Sequence, residues 1–174
     1  MWNDTDTPIA FFVSFRTYGT WLHGDERGSI NRFNNAYRSP YIEPNADWLK
    51  YNQSILKGPP FKLNAAARKV VEAAVRSVCT YRGWPLYALN IRTNHGHTVV
   101  ANIGQSSASV LNAFKAYATR DLRSAGLWTY DHSPWADKGS GVEYGTSGVC
   151  KRRSIMSSMG KAGRCRTSIR EGTV

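Results

Sequence analysis

The residues best suited to chemistry are two histidines set two apart, in Thr93-Asn94-His95-Gly96-His97. They open an apolar run that continues through Val99 and Val100. In a strand, side chains at i and i+2 share a face, so both imidazoles can reach one ion while Gly96 points away. Inside a later helical pattern comes Tyr117, which shares one stripe with Val110, Phe114 and Asp121. Asp121 offers an oxygen one turn beyond the tyrosine. Two imidazoles and a carboxylate suit Mg²⁺ or Mn²⁺ acting on a phosphate, with the phenol as nucleophile. Each residue also has a purely structural alternative. The histidines can sit on a solvated sheet face, and Tyr117 can be a tyrosine at the edge of the core. Asp121 can pair with Lys115, Arg120 or Arg123, and those cations can form an ordinary solvated helix face.

The elements that must position these residues can be read in order. Ile9 to Arg16 is β-rich and apolar, as a central strand buried on both faces would be. A long irregular stretch follows at about 17–60, with Asn45-Ala46-Asp47 opening a short helix; loops this long are usually functional or partly disordered. Asn64 caps a helix that ends near Arg82, with Gly83 as its stop. Leu86 to Arg92 forms a second strand, and Thr93-Asn94 turns the chain into a third, antiparallel strand from His95 to Ala101. A helix then runs from about Ser107 to Ser124. The expected class is α+β, a ferredoxin-like βαββαβ sandwich on an antiparallel sheet. Its last strand is expected to be missing or degraded, because the chain after Trp135 is rich in Gly and Ser. The three Phe of the first strand, Phe11, Phe12 and Phe15, are expected in the core.

The 174 residues make one domain with room for a real core, and 41% are hydrophobic. The net charge of +11 favours a polyanionic partner, nucleic acid first. Three cysteines with no CxxC pair argue against a disulfide framework or a cysteine zinc site, and for a reducing compartment. There is no basic leader and no apolar run long enough to span a bilayer, so the expectation is a cytoplasmic protein without a membrane partner.

Asn94-His95-Gly96-His97, followed by Phe114-Lys115-Ala116-Tyr117, resembles the HUH arrangement of single-tyrosine transposases. The similarity is to REP-associated tyrosine transposases and their insertion-sequence relatives. The opening run from Phe12 to Leu22 (FVSFRTYGTWL) resembles their first strand and following loop. The resemblance covers roughly residues 8–138 and implies a DNA transposase or endonuclease. It implies a divalent metal on His95 and His97, to which the helical stripe read above adds Asp121 as a third ligand and the donor set adds Mg²⁺ or Mn²⁺ as the ion. Tyr117 would attack a DNA phosphate, leaving a 5′-phosphotyrosine and a free 3′-OH. Arg16, Arg92, Lys115 and Arg120 would contact the DNA, single-stranded or hairpin-flanked, with the protein a monomer or homodimer. One departure is Gly96, where the family carries a bulky apolar residue. Three other readings remain: a non-catalytic RRM-like nucleic-acid binder, an inactive transposase remnant, and a histidine-triad hydrolase. The last needs a third alternating histidine, and that position is Val99.

A second departure lies at the end. The transposase-like domain is expected over 1–138, with 139–174 a disordered or out-of-frame tail. Residues 140–174 carry +5 of the chain's +11. Family members continue with a strand containing a pattern like RYLW, where this chain has Gly145-Thr146-Ser147-Gly148. Back-translation from Tyr144 in the neighbouring frame can spell RYLWGVQASIDYVVNGQGGEMPDFD. Residues from about Gly139 are therefore read as a frameshifted end. The gene's nucleotide sequence is expected to carry that string in the shifted frame, and early stop codons there would refute the frameshift.

Overall fold

The computed structural model describes residues 8–30 and 40–144. Strand β1 (Ala10–Thr17) is followed by helix α1 (Ala46–Ser54) and helix α2 (Ala65–Arg82). Strands β2 (Leu86–Ile91) and β3 (His95–Ala101), helix α3 (Ser107–Ser124) and strand β4 (Trp135–Tyr144) complete the order. All pairings are antiparallel, in the spatial order β2-β3-β1-β4. This is an α+β fold, and with α1 set aside its order matches the ferredoxin-like βαββαβ arrangement.

The helices form where caps and apolar stripes coincide. Asn45 accepts from the Trp48 N–H, Asn64 from Ala67, and Ser106 from Ser109, each meeting an otherwise orphaned donor. Gly83 closes α2 in the left-handed conformation at φ 65°. The α2 stripe of Val71, Ala74, Val75 and Val78 and the α3 stripe of Val110, Phe114, Ala118 and Leu122 are fully buried. They join Phe11, Val13 and Phe15 of β1 in one core cluster.

Strand alternation fixes which residues face the helices. Phe15 pairs with Gly96, Val13 with Thr98 and Phe11 with Val100, and this set points to α2 and α3. The intervening set, with Ser14 opposite His97 and Arg16 opposite His95, points to the other face. Phe12, also buried, is on that second face and stacks on His97 at 5.2 Å. Among the described elements no helix packs there.

The last strand is present, contrary to the expectation from sequence. β4 pairs with β1 along most of its length, and a bulge lies between Phe15 and Thr17. It looks unlike a strand because α3 lies close above it. A Cβ at Gly139 would meet the Ser14 carbonyl and Leu111, and one at Gly141 would meet Ser107. Trp135 anchors the strand. Its ring lies edge-on to Phe15 at 5.2 Å, and its Nε1 donates to Thr119 Oγ1 at 2.9 Å and to the Lys115 carbonyl at 3.1 Å. The expected boundary at 138 therefore falls inside β4, and the tail expected to be disordered or out of frame lies, from 145 onward, outside the described residues.

Gly96 has a similar cause. A Cβ there would sit 2.5 Å from Phe15 Cζ and 2.9 Å from Ile91 Cδ1. Phe15 and Ile91 occupy the volume that a bulky residue between the histidines would need. Gly96→Val is expected to destabilise the fold by about 1–3 kcal/mol through overpacking, and combined with Phe15→Ala the loss should be smaller than the sum of the two single losses. Chemical denaturation checks this, and strictly additive losses would show that the two positions do not compete for space.

Candidate metal and nucleic-acid site

The turn between β2 and β3 delivers the histidines. The Asn94 carbonyl accepts from Thr17 N at 2.9 Å and Thr17 Oγ1 at 3.1 Å, and the Thr93 carbonyl accepts from Leu63 N at 2.7 Å. The turn is thus clamped from both sides before β3 begins. β3 lies inside the sheet, between β2 and β1, so the imidazoles project from well-supported backbone.

The two rings lie 4.7 Å apart, inclined at 65°. His95 Nδ1 is 2.7 Å from Asn94 Oδ1, an acceptor, so that nitrogen carries the proton and Nε2 keeps its lone pair. His97 Nδ1 is 2.9 Å from Ser14 Oγ. Outer-shell partners of this kind fix tautomer and ring orientation in metal-binding histidines. Desolvation, then Arg92 and Arg16, pushes the His95 pKa below its ordinary value. Desolvation, then His95, Arg16 and Arg92, does the same to His97. Neutral imidazoles are the form that ligates.

Arg16 and Arg92 flank the pair. The Arg16 guanidinium lies over Trp21, 3.5 Å from the ring centroid, and Arg27 approaches the same ring at 4.8 Å. Trp21 is held by its Nε1 donating to the Gly28 carbonyl at 2.8 Å. Arg27 is committed to Asp25, contacting both carboxylate oxygens at 2.6 Å and holding that carboxyl at about 2. Arg16 has no carboxylate within ion-pair distance among the described residues.

The other expected site residues are elsewhere. Tyr117 belongs to α3, packs against the core on the helix side, and lies under Arg120, whose guanidinium is 4.6 Å from its ring centroid. The sheet stands between it and the imidazoles, because Gly96 faces the helices and its two neighbours therefore face away. Asp121 pairs with Arg120 at 3.0 Å, and among the described residues no group of three His, Cys, Asp or Glu is placed to hold one ion. Lys115 is also spoken for. Its Nζ donates to the Ala136 carbonyl at 2.6 Å and, at longer range, to those of Asp137 and Lys138, tying α3 to β4. Of the residues expected to act together, the structure gathers His95, His97, Arg16 and Arg92. It does not bring in Tyr117, Asp121, Lys115 or Arg120.

Sequence reasoning missed Ser14 and Asn94 as partners of the imidazoles. Asn94 was visible as the residue before His95. Ser14 becomes visible only once the β1–β3 register is known. Two further histidines pack away from this pair: His23 stacks on Trp48 at 4.9 Å, and His132 sits among Tyr18, Trp128 and Tyr130.

No protein-family model matches this chain, and no curated protein is similar to it. No described helix is long and apolar enough to cross a membrane.

The lowered imidazole pKa values set a pH dependence. The unfolded chain titrates near 6.5 and the folded imidazoles lower, so the unfolded state binds more protons in that interval. Stability is therefore expected to be full above about pH 6.5 and to fall as pH drops toward the folded values. NMR titration should find both midpoints below 6.5 and rising in Arg16→Ala. Unmoved midpoints would show that the guanidinium charge is not felt. Asn94→Ala should weaken Mn²⁺ binding by about 10- to 100-fold, read from paramagnetic broadening of the imidazole signals.

Proposed function

We propose that the sheet face carrying His95 and His97 binds single-stranded DNA and breaks a phosphodiester bond with a divalent cation, as in the HUH transposases the chain resembles. The supporting observation is the pair of neutral imidazoles, each with Nδ1 tied, on a face that no described helix covers, between Arg16 and Arg92. His95 and His97 fit Mg²⁺ or Mn²⁺ as two of its ligands, leaving the other positions to water and phosphate oxygens. Such an ion supplies charge stabilisation at a phosphoryl oxygen. Ser14 and Asn94 keep the rings aimed. Arg16 and Arg92 bind flanking phosphates, and Trp21 holds the Arg16 guanidinium so that little is lost on ordering it.

In a transposase-type cleavage a tyrosine oxygen bonds to phosphorus, the phenol proton leaves, and the strand is released as a 3′-OH. Tyr117 reaches this face only from a second copy, which would make the enzyme a homodimer. Within one chain the nucleophile has to be a group other than Tyr117. We place the protein in the cytoplasm with its DNA substrate, where a reducing environment suits the buried free thiol of Cys79.

The position of Tyr117 favours one second reading, a non-catalytic RRM-like binder of single strands or an inactive remnant of the enzyme. A hairpin oligonucleotide with single-stranded flanks separates the two on a denaturing gel. Under the leading reading, cleavage requires Mn²⁺ or Mg²⁺, stops with EDTA and is lost in His97→Ala. Cleavage within about twofold of wild type is expected for Tyr117→Phe if one chain acts alone, since a group across the sheet makes no contact with the reacting atoms. Complete loss would assign the nucleophile to Tyr117 of a partner copy. Tight binding with no cleavage in any metal would leave the binder.

A further inference from the structure

The long segment between β1 and α2 supplies Trp21 beneath Arg16, and its described residues also build a cavity beside the histidines. Leu22, Leu49 and Pro60 are among its apolar lining residues, and Gln53, Asn94 and Lys62 among its polar ones. The volume is about 670 Å³, within the range of small-molecule sites. The cavity is well supported: Phe61 N donates to the Tyr18 carbonyl, Asn45 N to the Gly24 carbonyl, and the Asn52 side chain to the His23 carbonyl. Asp25 and Arg27, also at the cavity, neutralise each other, leaving Lys62 as its cation outside any ion pair among the described residues.

Asn94 joins this cavity to the histidines. Its Oδ1 accepts from His95 Nδ1, while the same residue lines the cavity. A ligand held there sits one residue from the imidazole pair. Apolar walls fit the faces of a planar ring, the two amides fit its hydrogen-bonding edge, and a lone ammonium at the rim fits a phosphate.

We propose that this cavity takes one unpaired nucleotide of the DNA strand, flipped out beside the phosphate at His95 and His97. Base selectivity comes from Gln53 and Asn94, and Lys62 holds the neighbouring phosphate. The proposal rests on the single-strand reading above. It gives the described residues of the 19–62 segment a second role, reading a base next to the bond to be broken. Because Asn94 serves both sites, occupancy of the cavity favours the ring orientation in which His95 Nε2 is presented.

The test is fluorescence anisotropy in EDTA, so that binding is read without cleavage. The probes are labelled hairpins with single-stranded flanks made in four versions, one per base. A matching set has each flank nucleotide replaced in turn by an abasic site. One abasic position is expected to weaken wild-type binding about tenfold, the size of a single base contact. In Gln53→Ala the intact flank should bind about tenfold more weakly and the penalty at that position should disappear. Gln53 is exposed near the end of α1, so this change leaves the core untouched, which circular dichroism verifies. Lys62→Ala should weaken all probes alike and flatten the salt dependence. Binding with no position-specific penalty in wild type, or the same penalty in Gln53→Ala, would overturn the cavity while leaving the single-strand reading intact. Failure of every probe to bind wild type would overturn that reading, and the cavity proposal with it.

Discussion

The contact between Phe15 and Gly96 sets the rest of the site. The two residues are register partners on the helix side of the sheet, and no Cβ fits between the ring and β3. Parity follows from it. With Gly96 inward, His95 and His97 must point outward, and a slip of one residue would drive both imidazoles into the apolar layer beneath α2 and α3. The hydrophobic residues of β1 therefore aim the histidines as firmly as anything on β3 does. Phe15 also meets Trp135 edge-on, and Trp135 is hydrogen-bonded to α3. One buried ring thus links the histidine strand, the last strand and the second core helix.

The electrostatics of the outer face follow from the same geometry. Arg16 is brought opposite His95 by the β1–β3 register, and Arg92 follows directly on β2 at the start of the turn. Their charges add to desolvation in keeping the imidazoles neutral. They also oppose a bare cation, and no carboxylate joins the histidines in a metal-binding group among the described residues. A face with two nitrogen ligands and two guanidinium groups suits an ion that arrives with phosphate oxygens around it. The charges that disfavour a lone metal are of the sign that attracts a polyanion.

Much of this was legible in the sequence. The caps Asn45 and Asn64, the stop at Gly83 and the stripes of α2 and α3 are local signals, and they mark the helices directly. β3 was readable because an apolar alternation follows the histidine pair. β4 was not, because its glycines answer to a tertiary demand, the approach of Leu111 and Ser107 from α3, that no local pattern records. Lys115 illustrates the same limit. Its charge suggested a phosphate contact, whereas its ammonium completes the hydrogen bonding of three carbonyls at the start of β4. Composition reports how many cations a chain has, and only the fold reports which of them are already engaged.

Tyr117 shows where helical periodicity stops being informative. The spacing of Val110, Phe114, Tyr117 and Asp121 establishes that they share a stripe, and the stripe exists. It does not say on which side of the sheet the helix lies. That information was present in another form. Right-handed crossovers in a βαββαβ unit put both helices on one face. Phe11, Val13 and Phe15 supply the apolar surface those helices need, and polar imidazoles one strand away must then take the opposite face. Chain order and strand parity together put α3 behind the sheet, whatever its stripe contains. Any group that meets the imidazoles has to approach from the side that no described helix occupies.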